Sequence, residues 1–315
     1  MGFGAIGVSC VLSAAVVCGH VRADVEPPYV NSVVSNDLAF IFESDPNAIE
    51  SFRYVTRARR EMPDKRSNRL FADAYIFEAI YTTTDGGTQR VEIWANTDFQ
   101  LLANAAPYAS RLARAIGLQP ELFRGSLRHV VLHTGDETAF AEERGGFFVI
   151  YADNMDDRVA TDDLQHTVFH ECAHVALEAA HAESAGWLAA QRADPGFITE
   201  YARDNAVKED VPESAIFAFA VLNYPGRLSA EVEATVRSQM PNRLAYFAEI
   251  DGFLIGAGGP ACRADVNGDG VLTLGDFDAW VAAYVSGGAG CDQNGDGSCT
   301  PADLHAWMVG FNAGC

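Results

Sequence analysis

Residues 161–181 read TDDLQHTVFHECAHVALEAAH, and inside them His170-Glu171-Cys172-Ala173-His174 spells the pattern HExxH. On a helix, positions four apart share a face, about 6 Å apart along the axis. Two imidazoles at that spacing can grip one Zn²⁺, and the glutamate beside the first reaches the attacking water as a general base. The surrounding pattern predicts the helix. Asp162 is set to cap it with Gln165 at the third helical position, and Leu164, Val168, Cys172, Val175 and Ala179 form an apolar stripe. Thr167, His170, Glu171, His174 and Glu178 fall on another face, so the ligands need not be buried with the core. Cys172 reads as a small apolar residue turned away from the histidines, and His166 as a solvated first-turn residue.

A peptidase zinc site needs a third protein ligand and one open position. His181 shares the face of His174 but lies about 10 Å further along an unbroken helix, and Glu178-Ala179-Ala180 has no glycine to turn it back. Glu209 and Glu213 are better candidates. They stand four apart ahead of the apolar run 215–222, so a second helix can present either carboxylate to the first. Pro212 is tolerated in a first helical turn, which predicts a helix starting near Val211 with Asp210 as its cap.

Upstream, helical patterns cover about 47–60 and 103–116, and strand candidates cover 90–95, 128–133 and 146–151. Helices are expected to dominate from 162 to 247. Strands first and helices after predict an α+β domain. Trp187 and the pair Phe147-Phe148 read as core, and strand 146–151 as the edge that would pair with an extended substrate.

The ends of the chain bear on compartment. An apolar run from Ile6 to Val17, followed by Val21-Arg22-Ala23, predicts a signal peptide over 1–23 with cleavage after Ala23. Ala15-Val16-Val17 before Cys18 makes a poor lipobox, so soluble secretion is expected, to the extracellular space or the cell surface. No other stretch is long enough to span a membrane. The net charge of −21 argues against nucleic acid or an anionic membrane as partner. Four of the seven cysteines, Cys262, Cys291, Cys299 and Cys315, crowd the C-terminal end, where export favours disulfides in one of three connectivities.

A glycine-rich break at 251–260 marks a domain boundary, giving one domain over 24–255 and a second over 260–315. The second is an internal repeat. Asp265-Val-Asn-Gly-Asp-Gly returns 27 residues later as Asp292-Gln-Asn-Gly-Asp-Gly, and the register holds through Trp280/Trp307. The first copy places Asp265, Asn267, Asp269, the Val271 carbonyl, Thr273 and Asp276 on the oxygen schedule of a calcium loop. The second places Asp292, Asn294, Asp296, the Ser298 carbonyl, Thr300 and Asp303 there. Two structural Ca²⁺ ions are therefore expected.

Both halves resemble known families. The segment from His170 to Phe219, ending in TEYARDNAVKEDVPESAIFAF, resembles the zincin peptidases related to anthrax lethal factor and Pro-Pro endopeptidase. It looks closer still to a group of secreted bacterial metallopeptidases. The resemblance implies a zincin-like fold in which His170, His174 and Glu209 bind zinc and Glu171 is the base. Glu213 would stand behind the ligands, and Tyr201 would donate a hydrogen bond to the oxyanion. Two departures stand out. Tyr201 precedes Glu209 by eight residues rather than seven, and Pro212 replaces the usual alanine. The duplicated loop plus exiting helix resembles a small α-helical dockerin of the planctomycete type, which implies a cohesin-like or cell-surface scaffold partner. The expected function is hydrolysis of peptide or protein substrates. The rival reading is a non-catalytic adhesion or scaffold protein whose metal sites are structural.

Overall fold

In a computed structural model, the described residues are 25–33, 38–255, 264–267, 272–294 and 298–313. The expected signal segment 1–23, the boundary residues 256–260, Cys262, Cys315, Asp269, Val271 and Asp296 lie outside them. The chain is mixed α+β. A long hairpin of β1 (Ile49–Glu61) and β2 (Phe71–Thr82) leads into β3 (Thr88–Asn96), α1 (Leu102–Gly117) and α2 (Glu121–Gly125). Then come β4 (His129–His133), β5 (Phe140–Glu142) and β6 (Phe147–Tyr151), which build one six-stranded sheet in the order β1-β2-β3-β4-β6-β5. The pairs β3–β4 and β4–β6 are parallel, and the others are antiparallel.

The strands expected at 90–95, 128–133 and 146–151 are β3, β4 and β6, and the helix expected at 103–116 is α1. The segment 47–60, read as helical, is β1. Its apolar residues Ala48, Ile49, Phe52 and Val55 fall at helical spacing, but pairing with β2 overrides that local pattern. Phe52 stacks on Phe77 at 5.4 Å, and Arg53 and Arg57 reach Glu78 and Asp73 across the ladder. Strand β6 is not the edge either. Phe140, Ala141 and Glu142 pair along it, so β5 takes the edge position.

Helices cover one face of the sheet: α3 (Ala152–Ala160), α4 (Leu164–Ala173), a π-helical turn (His174–Glu178), α5 (Ala179–His181) and α6 (Ala185–Ala193). They continue with α7 (Glu200–Asp204), α8 (Ala206–Asn223), α9 (Ala230–Gln239) and α10 (Pro241–Ala248). Asp162 does not cap α4. It adopts φ +58°, and Asp163 takes the N-cap position without a side-chain bond. Leu164, Val168 and Cys172 are buried as expected, but Ala179 is exposed and Leu177 is buried instead. The π turn adds a residue to the repeat and rotates the apolar face behind it. His166 is buried rather than solvated. Its Nε2 accepts the Phe40 N–H at 3.0 Å, and burial holds its imidazole down at about 4.

Buried rings lock α4 to α8. Phe169 meets Phe219 at 5.5 Å and Phe123 at 4.3 Å, and Phe40 closes on both Phe169 and Phe219. Each such ring contributes about 1.5–3 kcal/mol on burial, so α4 and α8 are held together by a shared cluster of buried aromatic rings. Trp187 lies fully buried against Phe247, as the sequence suggested.

The tail contributes α11 (Leu274–Ser286) and α12 (Pro301–Ala313), each following one copy of the repeat. Ala264, Trp280 and Trp307 form a separate apolar cluster. Its hydrogen bonds are reciprocal. Trp280 Nε1 donates to the Cys291 carbonyl just before the second loop, and Trp307 Nε1 donates to the Ala264 carbonyl just before the first. Cys291 and Cys299 form a disulfide. Among the described residues, no helix is long and apolar enough to cross a membrane.

Candidate metal centre

His170 lies near the C-terminal end of α4, and His174 opens the π turn. Both imidazoles are buried. His170 Nε2 and His174 Nε2 stand 3.1 Å apart, and Glu209 Oε2, from the first turn of α8, lies 3.3 Å and 3.2 Å from them. These three atoms form a nearly equilateral triangle. A tetrahedral ion with bonds of about 2.0–2.1 Å sets its ligands roughly 3.3 Å apart, so the triangle matches one face of such a coordination shell. His174 Nδ1 faces Glu178 Oε2 at 2.7 Å, which assigns its proton to Nδ1 and turns the Nε2 lone pair toward the other two atoms. Three lone-pair donors converging on one point suit a cation.

The electrostatics reflect that convergence. Burial disfavours a charged imidazole at His174, but bonds to Glu178 and Glu209 outweigh it and raise the group to about 10. Burial likewise opposes ionisation of Glu209, yet its bonds to His170 and His174 hold it well below the usual carboxylate range. A divalent ion would take the place of the proton that the cluster otherwise shares.

The helix that carries Glu209 starts at Ala206, not near Val211, so Pro212 sits inside it. The proline withholds an N–H from the Lys208 carbonyl, which is tolerable because Lys208 is exposed to water. Asp210 is not a cap. Its carboxylate is fully buried and pairs with Arg243 Nη1 at 2.5 Å, while Arg243 Nε holds Asp194 at 2.8 Å. That clamp fixes α8 one residue beyond Glu209. Such a buried pair is structural, since removing one partner leaves an uncompensated charge.

Glu213 lies behind His170 rather than in the triangle. Its Oε1 is 3.4 Å from His170 Nδ1 and accepts the Ser32 hydroxyl at 2.8 Å, and burial raises its carboxyl. Glu171 is 6 % exposed, with one carboxylate oxygen that has no hydrogen-bond partner, and burial raises its carboxyl also. Tyr201 donates to Glu209 Oε1 at 3.2 Å, and burial together with the Glu209 charge pushes its phenol up to about 12. To donate to a substrate oxygen it must turn from that carboxylate. His181 bonds Tyr246 Oη at 2.8 Å and stays out of the cluster, and Cys172 is buried in the core.

Glu171, His170, His174, Tyr201, Glu209 and Glu213 line one cleft of about 760 Å³. The comparisons with known families, curated proteins and solved structures return no match for this chain. The site therefore rests on its own chemistry. The cleft also has walls that local sequence pattern did not mark. Val30, Asn31 and Val33 close one side, where the Glu200 and Tyr201 N–H groups bond the Tyr29 and Val30 carbonyls. Edge strand β5 closes another. Asn154 and Arg158 of α3, with Lys65, complete the lining. Ser32 and Glu213 are 181 residues apart in sequence, and no spacing rule links them.

In the tail, Asp276 and Asp303, the last donor named in each copy of the repeat, are fully buried. Asp276 accepts the Thr273 and Asn267 N–H groups. Asp303 accepts those of Thr300, Gln293 and Asn294, together with the Thr300 hydroxyl. Each carboxylate thus ties the start of its loop to the first turn of the exiting helix.

Proposed function

We propose that the chain is a secreted, zinc-dependent peptidase of the zincin type, over about 24–255, carrying a dockerin-like calcium module over about 260–315. The observation that supports the reading best is the triangle of His170 Nε2, His174 Nε2 and Glu209 Oε2 with Glu171 in the same cleft. Zinc, when bound there, supplies Lewis acidity to a peptide carbonyl and makes water more acidic. The residues do the rest. Glu171, sealed from bulk solvent, takes a proton from the attacking water and returns it to the leaving amine. Glu178 orients His174 through its Nδ1, and Glu213 stands 3.4 Å behind His170 Nδ1. Edge strand β5 lines the cleft and can pair with an extended peptide, and Tyr201, the tyrosine of the lining, would donate to the developing oxyanion.

The rival reading, a structural metal site in an adhesion protein, requires a fourth protein ligand. Among the described residues the ligand group holds three side chains; of the two candidates for closing it, Cys172 is buried in the core outside the group and His181 bonds Tyr246. Zinc content measured together with turnover on a peptide library tests the assignment.

For the tail, two loops that each carry three aspartates within twelve residues set like charges against one another until a cation enters. Among the described residues the tail's core is small, Ala264, Trp280 and Trp307 with five partly buried apolar residues packed on them. Limited proteolysis of the full chain should therefore leave 264–313 intact in calcium and cut it in a calcium-selective chelator. Equal resistance in chelator, with the disulfides unreduced, would show that the loops fold without the ion.

A further inference from the structure

Two polar groups in the cleft have no partner and no place in the zinc chemistry. Asn154 is 8 % exposed, and its Oδ1 is buried and accepts no hydrogen bond. Four residues on, Arg158 carries a buried Nε–H that donates to nothing. The two share one face of α3 and both line the cleft that holds Glu171 and His170. Native interiors leave few such groups unfilled, so an orphaned acceptor and donor together ask for an occupant.

Charge narrows the occupant. The chain is strongly acidic, at −21, yet among the described residues no carboxylate pairs with Arg158. Lys65 repeats the pattern. Its ammonium bonds the Thr138 carbonyl, the Thr138 hydroxyl and the Ala139 carbonyl, all neutral oxygens leading into β5. Both cations belong to the end of the cleft where β6 runs into α3, since the Lys65 N–H donates to Tyr151 Oη and α3 starts at Ala152. Of the other charged lining residues, Glu178, Glu200, Asp204, Lys208, Glu209 and Glu213 come from the π turn, α7 and α8, and Glu142 and Glu171 come from β5 and α4.

We propose that Asn154 and Arg158, with Lys65 nearby, form a substrate subsite that recognises a carboxylate of a bound peptide. The Arg158 guanidinium receives the carboxylate through paired N–H donors, and Asn154 Oδ1 accepts a backbone N–H of the same residue. An acidic amino acid in a peptide offers both groups at once, and so does a chain-terminal residue. The inference rests on the peptidase reading for its substrate, so its test is binding, which does not need turnover.

Full-length Glu171→Gln protein is titrated with three peptides of one sequence: one bearing an internal Glu with both ends blocked, one bearing Gln there, and one bearing Gln with a free C-terminal carboxylate. One carboxylate peptide should bind about tenfold more tightly than the blocked Gln peptide, and which one does so identifies the source of the carboxylate. Arg158→Gln should erase that difference while leaving affinity for the blocked Gln peptide unchanged, which also shows that the variant is folded. Asn154→Asp, which places a carboxylate beside Arg158, should erase it too. Equal binding of all three peptides, or discrimination that survives in both variants, overturns the proposal. Absence of cleavage by the zinc-loaded wild-type protein would count against the peptidase reading and leave these binding results decisive for the subsite.

Discussion

Glu171→Gln protein is expected to hold one zinc ion per chain and to hydrolyse peptides about 10³-fold more slowly than wild type, the scale of a lost general base. The geometry separates the two properties. The ligand triangle consists of His170, His174 and Glu209, and Glu171 is not part of it. Glutamine is nearly isosteric and neutral, and burial already disfavours the charged carboxylate at this position, so the substitution should leave the fold intact. What it removes is a buried carboxylate oxygen without a partner, the group that on the proposed mechanism accepts a proton from water. A zinc-loaded variant with wild-type turnover would take Glu171 out of the mechanism.

Glu209→Ala should weaken zinc binding far more than His181→Ala, by more than the roughly 10–100-fold that losing an outer partner of a ligand costs. Glu209 Oε2 stands 3.2–3.3 Å from both imidazole nitrogens, whereas His181 is spent on Tyr246. Glu213→Ala belongs between them, since its carboxylate backs His170 without joining the triangle. Competition against a chelator of known affinity ranks the three variants. If His181→Ala proved the weakest binder, the third ligand would have to be reassigned.

The parts of this arrangement differ in how far the sequence disclosed them. Imidazoles four apart on a helix, and carboxylates ahead of an apolar run, are local patterns that left Glu209 and Glu213 both open, and the fold brings Glu209, the one the resemblance implied, together with His170 and His174. Strands β3, β4 and β6 were legible from short β-branched runs bounded by turns. What escaped depended on distant partners. Residues 47–60 repeat apolar positions at helical spacing, and only the length of β2 beside them makes a strand. The π turn at His174 and the start of α8 ahead of Pro212 are set by packing against the aromatic cluster and by the Arg243 clamp, not by local propensity. His166 looked like a surface residue because Phe40, whose N–H it accepts, lies 126 residues away. Asn154 and Arg158 from α3 and Lys65 from the β1–β2 connection reach the cleft, Ser32 reaches Glu213 behind it, and none carries a motif that spacing could reveal.

The central claim, that the buried triangle is a catalytic zinc centre, is tested most directly by turnover of an unbiased peptide library at measured zinc content. The account predicts hydrolysis by full-length protein holding one zinc at this site, loss of that hydrolysis when the ion is removed, and recovery when one equivalent is restored. Protein fully loaded with zinc that cleaves nothing in the library, or cleavage that persists once the zinc is gone, would contradict it.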